Sequence, residues 1–155
     1  MNNPYPENPV RWSAITEKLL KSFPVSMERI TGIALASWED IFHSRIGEKS
    51  YRIGLEIWPE PQIMGFLLHE LIPLNLAAAY PNRWRRGRAA TECDAVHIPN
   101  DDYSLEIKTS SSTRGIFGNR SYAHAGDSAS KRRGSFFLVV NFGKFSAPPK
   151  DPKSI

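Results

Sequence analysis

Apolar residues recur at helical spacing twice in the first third of the chain. Ile15, Leu19 and Leu20 form one stripe of a short helix over residues 13–23, after an Asn- and Pro-rich lead-in over residues 1–11. Ile30, Ile33, Ala34, Trp38 and Phe42 form the stripe of a second helix, with Ser26 placed to cap it. Tyr51, Ile53, Leu55 and Ile57 then alternate with Arg52, Gly54 and Glu56, the two-residue period of a strand. Residues 62–80, QIMGFLLHELIPLNLAAAY, are apolar nearly all round. They predict a helix with most of its surface covered, interrupted or restarted at Pro73.

The second half reads as extended segments. Two of them, over residues 90–98 and 103–110, flank the turn-rich Pro99-Asn100-Asp101-Asp102 and predict a hairpin. Residues 111–134 carry Ser, Gly and Arg without a period and read as mostly loop. FFLVVNF, residues 136–142, is a continuous apolar run and predicts a strand buried on both faces. The whole is one α/β domain over residues 1–155, helical over about 12–45 and with a core over about 50–145.

Composition narrows the class. With 41% hydrophobic and 23% charged residues, the 155-residue chain is globular rather than disordered. One cysteine, Cys93, makes neither an internal disulfide nor a zinc site and reads as a small buried hydrophobe. No signal segment opens the chain and no apolar run looks long enough to span a bilayer, so the expected place is the cytoplasm, away from membranes. The net charge of +4 is mild, but its placement is not. Arg83, Arg85, Arg86 and Arg88 surround Trp84, and Lys131, Arg132 and Arg133 form a second cluster. Both suit phosphate-backbone contact, although each also fits a solvated loop. Trp84 reads as the anchor of its loop, and His69 as a helix-face filler without further ligands beside it.

Candidate chemistry lies in Tyr103-Ser104-Leu105-Glu106-Ile107-Lys108-Thr109. On a strand Glu106 and Lys108 share one face, while Leu105, Ile107 and Thr109 face a core. Glu-x-Lys alone is weak, and Asp94 strengthens it. If the hairpin connection holds an odd number of residues, positions summing to 200 pair, and Asp94 stands opposite Glu106. Two facing carboxylates need a cation between them. Two carboxylates and a lysine suit Mg²⁺-assisted phosphodiester hydrolysis, with the lysine orienting the attacking water or neutralising developing charge. Glu70 lies on one helix face with Ile63, Leu67 and Leu74. A carboxylate so placed is either salt-bridged to a nearby arginine or a further ligand or water anchor at the site.

The order of an acid on a helix, then Asp, then Glu-x-Lys on the next strand resembles the PD-(D/E)XK nuclease superfamily, with Cys93-Asp94 where that family has Pro-Asp. The phrases MGFLLHELIP (64–73), SLEIKTSS (104–111), IFGNRSYA (116–123) and FFLVVNF (136–142) are similar, more closely, to the ScaI-type restriction endonucleases. This resemblance implies a restriction-endonuclease-like core with a central mixed β-sheet flanked by helices. It implies Mg²⁺, and cleavage of double-stranded DNA at a short specific site by a homodimer. It carries over Asp94, Glu106 and Lys108 as the catalytic set, with Glu70 beside them and Asp94 and Glu106 as metal ligands. Gly118, Asn119, Arg120, Ser121 and Tyr122 match a conspicuous family phrase, with Arg114, Asn119 and Arg120 as candidate DNA contacts. Restriction enzymes of this kind generally continue further, and Lys153-Ser154-Ile155 looks like the approach to another strand, so a C-terminal truncation is expected. The alternatives are a repair or recombination nuclease on the same core, or a truncated or degenerate DNA-binding protein.

Overall fold

The structure, a computed structural model, describes residue 5 and residues 9–89, 91–115 and 136–144. Helix α1 spans Trp12–Ser22 and α2 spans Met27–His43. Ser26 caps α2 as expected, its hydroxyl accepting from the Arg29 amide at 3.3 Å. The alternation at 51–57 does not make a strand. Gly54 takes a φ of +87° and its amide bonds to the Ile57 carbonyl, so the chain turns back on itself. Only isolated bridges remain there, Ile46 with Tyr51 and Ile53 with Ile57; of the alternating residues Ile53 is buried in the core and Ile57 packs against it.

Helix α3, Pro61–Ala79, runs unbroken through Pro73. Its buried side is a stripe, Met64, Gly65, Leu68, Ile72, Pro73 and Leu76, whereas Ile63, Phe66 and Leu74 are exposed. Most of the helix is at least partly covered, as expected, but it is apolar on more of its circumference than its neighbours reach. Against the reading of the sequence, α3 is also long and apolar enough, by length and composition, to cross a membrane. In the fold it packs instead against α2 and the sheet. Asn75 joins α3 to α2, donating to Ser37 Oγ at 3.0 Å and Asp40 Oδ2 at 2.8 Å.

Four strands form one mixed sheet in the order β1 (Trp84–Arg86), β2 (Ala95–His97), β3 (Leu105–Ser110) and β4 (Phe136–Asn141). β1 and β2 are antiparallel, as are β2 and β3, and β4 runs parallel to β3. The helices and this sheet make an α/β fold consistent with a restriction-endonuclease-like core. The core gathers Phe23, Val25, Ile33 and Ile41 with the buried stripe of α3 and with Trp84, Leu105 and Ile107. Trp84 is indeed an anchor, packed against Phe23 and His97 at ring distances of 5.9 and 4.9 Å. β4 is covered on one face only: Phe136, Leu138 and Val140 pack on the core, while Phe137 and Val139 are exposed. A strand at the end of the sheet order with Phe137 and Val139 about half exposed corrects the expectation of burial on both faces.

Gly65 sets the distance between α3 and β3. A methyl group there would lie 2.7 Å from Thr109 Oγ1, well inside van der Waals contact. Gly65→Ala is therefore expected to cost about 1–3 kcal/mol, despite alanine's better helix propensity. Urea unfolding checks this, and Gly65→Ala/Thr109→Ala should recover most of the loss, because the next atom, Thr109 Cβ, is 3.6 Å away.

Candidate active site

β3, the strand of Glu106 and Lys108, is flanked on both sides, by β2 and β4. Glu106 is 1% exposed, and its Oε1 accepts from Lys108 Nζ at 2.7 Å. A buried carboxylate is tolerated when a cation and further polar groups satisfy it, and here the cation comes from the same strand face two residues on. The Lys108 side chain is 18% exposed, so its ammonium bridges a dry carboxylate and open space. The parallel register sets Glu106 beside Phe137 and Lys108 beside Val139.

Asp94 ends β2. The observed β2–β3 partners are Ala95 and Leu105, which sum to 200, so the hairpin has the register that the sequence argument required. Continued by one residue, it sets Asp94 across from Glu106. The Asp94 Oδ2 accepts from the Ile107 amide at 2.7 Å, taking over at the strand end a bond that a backbone carbonyl would make within the ladder. The carboxylate is thus fixed to the residue between Glu106 and Lys108. Its backbone is fixed as well: the Gly87 amide donates to the Asp94 carbonyl at 2.9 Å, and a methyl group on Gly87 would fall 2.3 Å from the Cys93 carbonyl oxygen.

The helix contributes differently from the expectation. Glu70 is ion-paired with Arg86 at 2.7 Å, with both groups partly exposed, the arrangement foreseen as its salt-bridge alternative. The α3 side chain that comes to Asp94 is His69, whose Nδ1 is 3.5 Å from Asp94 Oδ2. His69 lines a cleft of about 760 Å³ together with Gln62, Phe66, Thr109, Ser110 and Lys144. Reading His69 as filler missed this. The one usable signal was its place four residues after a glycine in a packed helix.

The basic residues divide. Arg85 makes a two-point pair with Glu92 at 2.6 and 2.9 Å, and Glu92 also accepts from the Arg88 amide at 2.7 Å. The loop between β1 and β2 is closed by that clip. Arg85 holds the Glu92 carboxyl well below the usual range, down to about 2, with the Arg88 amide adding to the effect. Arg85 is itself pushed up by the same bond. A carboxyl depressed in the folded state contributes stability above its ordinary value of 4.5 and loses that contribution as the pH falls toward about 2. Glu92→Gln is therefore expected to flatten the acid limb of a stability–pH profile in that window, measured by denaturant unfolding at each pH. Arg83, Arg88 and Arg114 are exposed, and Arg86 is half-exposed even with its partner. Asn119, Arg120, Lys131, Arg132 and Arg133 lie outside the described residues.

Among the described residues, no group of three or more His, Cys, Asp or Glu side chains is close enough to hold a metal. The available donors, Asp94 and Glu106, are hard carboxylates. They fit a cation such as Mg²⁺, which keeps waters and takes phosphate oxygens alongside one or two protein carboxylates. They do not fit zinc, which takes Cys or His, nor a many-liganded calcium cage.

A mixed sheet with an Asp and a Glu-x-Lys strand side by side defines the class within which the chain falls. Residues 3–155 match the family described as ScaI restriction endonuclease. The chain is also 44% identical over 139 residues to the type II restriction enzyme ScaI of Streptomyces caespitosus, covering 89% of this chain and 60% of that enzyme. It belongs to the ScaI restriction endonuclease family, and spans about 60% of the length of that curated relative. No solved structure matches it.

Proposed function

We propose that this chain is a type II restriction endonuclease that hydrolyses phosphodiester bonds of double-stranded DNA at a short specific site, with Asp94, Glu106 and Lys108 as the catalytic set. The observation that carries this reading is the buried Glu106–Lys108 pair on the central strand, one residue from the backbone amide that holds Asp94. Family membership supports it independently.

Asp94 and Glu106 would hold Mg²⁺. Bound there, the cation supplies charge stabilisation at the phosphoryl oxygens and acidifies water. Lys108 neutralises the charge that grows on the phosphate and holds the attacking water in line. The Ile107 amide keeps the Asp94 carboxylate directed at the strand, so little reorganisation is needed when substrate arrives. Arg83, Arg86, Arg88 and Arg114 are positioned on the exposed surface to take phosphates of the duplex. Glu70, held by Arg86, stands one residue from His69 on the edge of this centre. The enzyme acts in the cytoplasm as a homodimer, since a palindromic site is most simply read by a two-fold protein.

Digestion of a plasmid of known sequence in Mg²⁺, with the fragment ends mapped, tests the reading. Discrete fragments sharing one sequence at their ends are expected. A ladder of random nicks would point to a nuclease without site specificity, and an untouched plasmid would defeat the assignment of activity to this chain.

A further inference from the structure

The centre described above, on the reading that Asp94 and Glu106 take a divalent cation, receives one helix side chain, and we propose that it is His69, acting as the positioning residue that holds the Asp94 carboxylate. Three observations meet on it. The first is the contact: His69 Nδ1 lies 3.5 Å from Asp94 Oδ2, the oxygen that also accepts from the Ile107 amide at 2.7 Å. A histidine ring nitrogen that carries hydrogen is a donor to the carboxylate it faces. Asp94 Oδ2 thus has a strand amide bonded to it and a helix side chain facing it.

The second is how α3 brings His69 there. Gly65 and His69 are four residues apart and share one helix face. At Gly65 the helix comes so near β3 that a methyl group would strike Thr109 Oγ1 at 2.7 Å. That approach delivers the next turn of the same face to the end of β2, where Asp94 sits. Glu70, one position on, is rotated about 100° around the helix and meets Arg86 of β1 instead. Pro73 adds to this, because it has no N–H to give to the His69 carbonyl and its ring crowds that carbonyl.

The third is access. The His69 side chain is 30% exposed and lines the cleft of about 760 Å³ that α3 shares with the C-terminal ends of β3 and β4. A residue that merely filled space would have no reason to join the reacting carboxylate to the open cleft. Partners that orient a metal-ligating carboxylate set its affinity for the metal, and their loss typically weakens binding by about 10–100-fold.

Mn²⁺ binding to the DNA-free protein, followed by the electron paramagnetic resonance signal of unbound Mn²⁺, tests this without requiring turnover. Wild type is expected to bind, His69→Ala to bind at least about tenfold more weakly, and His69→Gln, which keeps a donor, to recover much of the difference. Denaturant unfolding of the same variants should show little change, since the side chain is not buried. Glu70→Gln should shift affinity less than His69→Ala. Equal affinity of His69→Ala and wild type would overturn the proposal while leaving the metal site standing, and so would a larger shift from Glu70→Gln. A wild-type protein that takes up no Mn²⁺ would overturn the metal reading itself, and this proposal with it.

Discussion

Lys108→Ala is expected to abolish DNA cleavage and, separately, to cost about 3–5 kcal/mol of stability. The two effects have one origin. Glu106 is 1% exposed and has Lys108 Nζ at 2.7 Å. Removing the ammonium leaves a buried carboxylate without the Lys108 cation. Cleavage suffers because the same ammonium would no longer neutralise the phosphate or hold the water, a loss of at least about a hundredfold in rate. Activity and stability can then be separated. Glu106→Gln/Lys108→Met removes both charges at similar volume and should recover most of the lost stability, because replacing a buried pair is far less costly than breaking it. It should recover none of the activity. Urea midpoints and plasmid digestion on the same three proteins provide the check, and a double variant that stayed as unstable as Lys108→Ala would show that charge burial is not the cause.

Asp94 gives the second large effect. Asp94→Asn keeps an oxygen that accepts from the Ile107 amide, so the end of β2 should stay docked and stability should change by no more than about 1 kcal/mol. Cleavage should fall by at least about a thousandfold, because a neutral amide is a poor ligand for a hard cation. Asp94→Ala removes the acceptor too. It should lose activity to the same extent and about 1–3 kcal/mol besides, the cost of an amide left without its partner. Comparable activity in Asp94→Asn and wild type would remove Asp94 from the centre and leave it a structural residue of the strand end.

Much of this site can be read from the sequence because it depends on a short-range rule. Side chains alternate along a strand, so Glu106 and Lys108 share a face wherever the strand lies, and the odd-membered connection fixes Asp94 opposite them. The observed pairing of Ala95 with Leu105 has that register, one residue short of Asp94. The helices follow for a similar reason, since a cap at Ser26 and a stripe through Ile30 and Ile33 are local signals.

What could not be read depends on how elements dock. The alternation at 51–57 has the right period for a strand, but Gly54 adopts a positive φ and, among the described residues, the segment makes only isolated bridges. β1 was hidden by its length and charge, because three residues carrying two arginines look like a loop until β2 is seen beside them. Glu70 and His69 differ by one step around α3. Which of them meets the strand is decided by the close approach at Gly65, which a helical pattern alone does not reveal. Arg85 looks like a phosphate contact in the sequence, and only the fold shows it joined to Glu92.

The central claim is that the buried pair on β3, beside Asp94, cleaves DNA, and one digestion tests it most directly. Plasmid DNA is incubated with wild type in Mg²⁺, with wild type in EDTA, and with Glu106→Gln in Mg²⁺, after circular dichroism has shown the variant folded. Discrete fragments in the first tube alone are the expected result. Fragments of equal yield from Glu106→Gln would contradict the account, because the carboxylate on which it is built would then be dispensable.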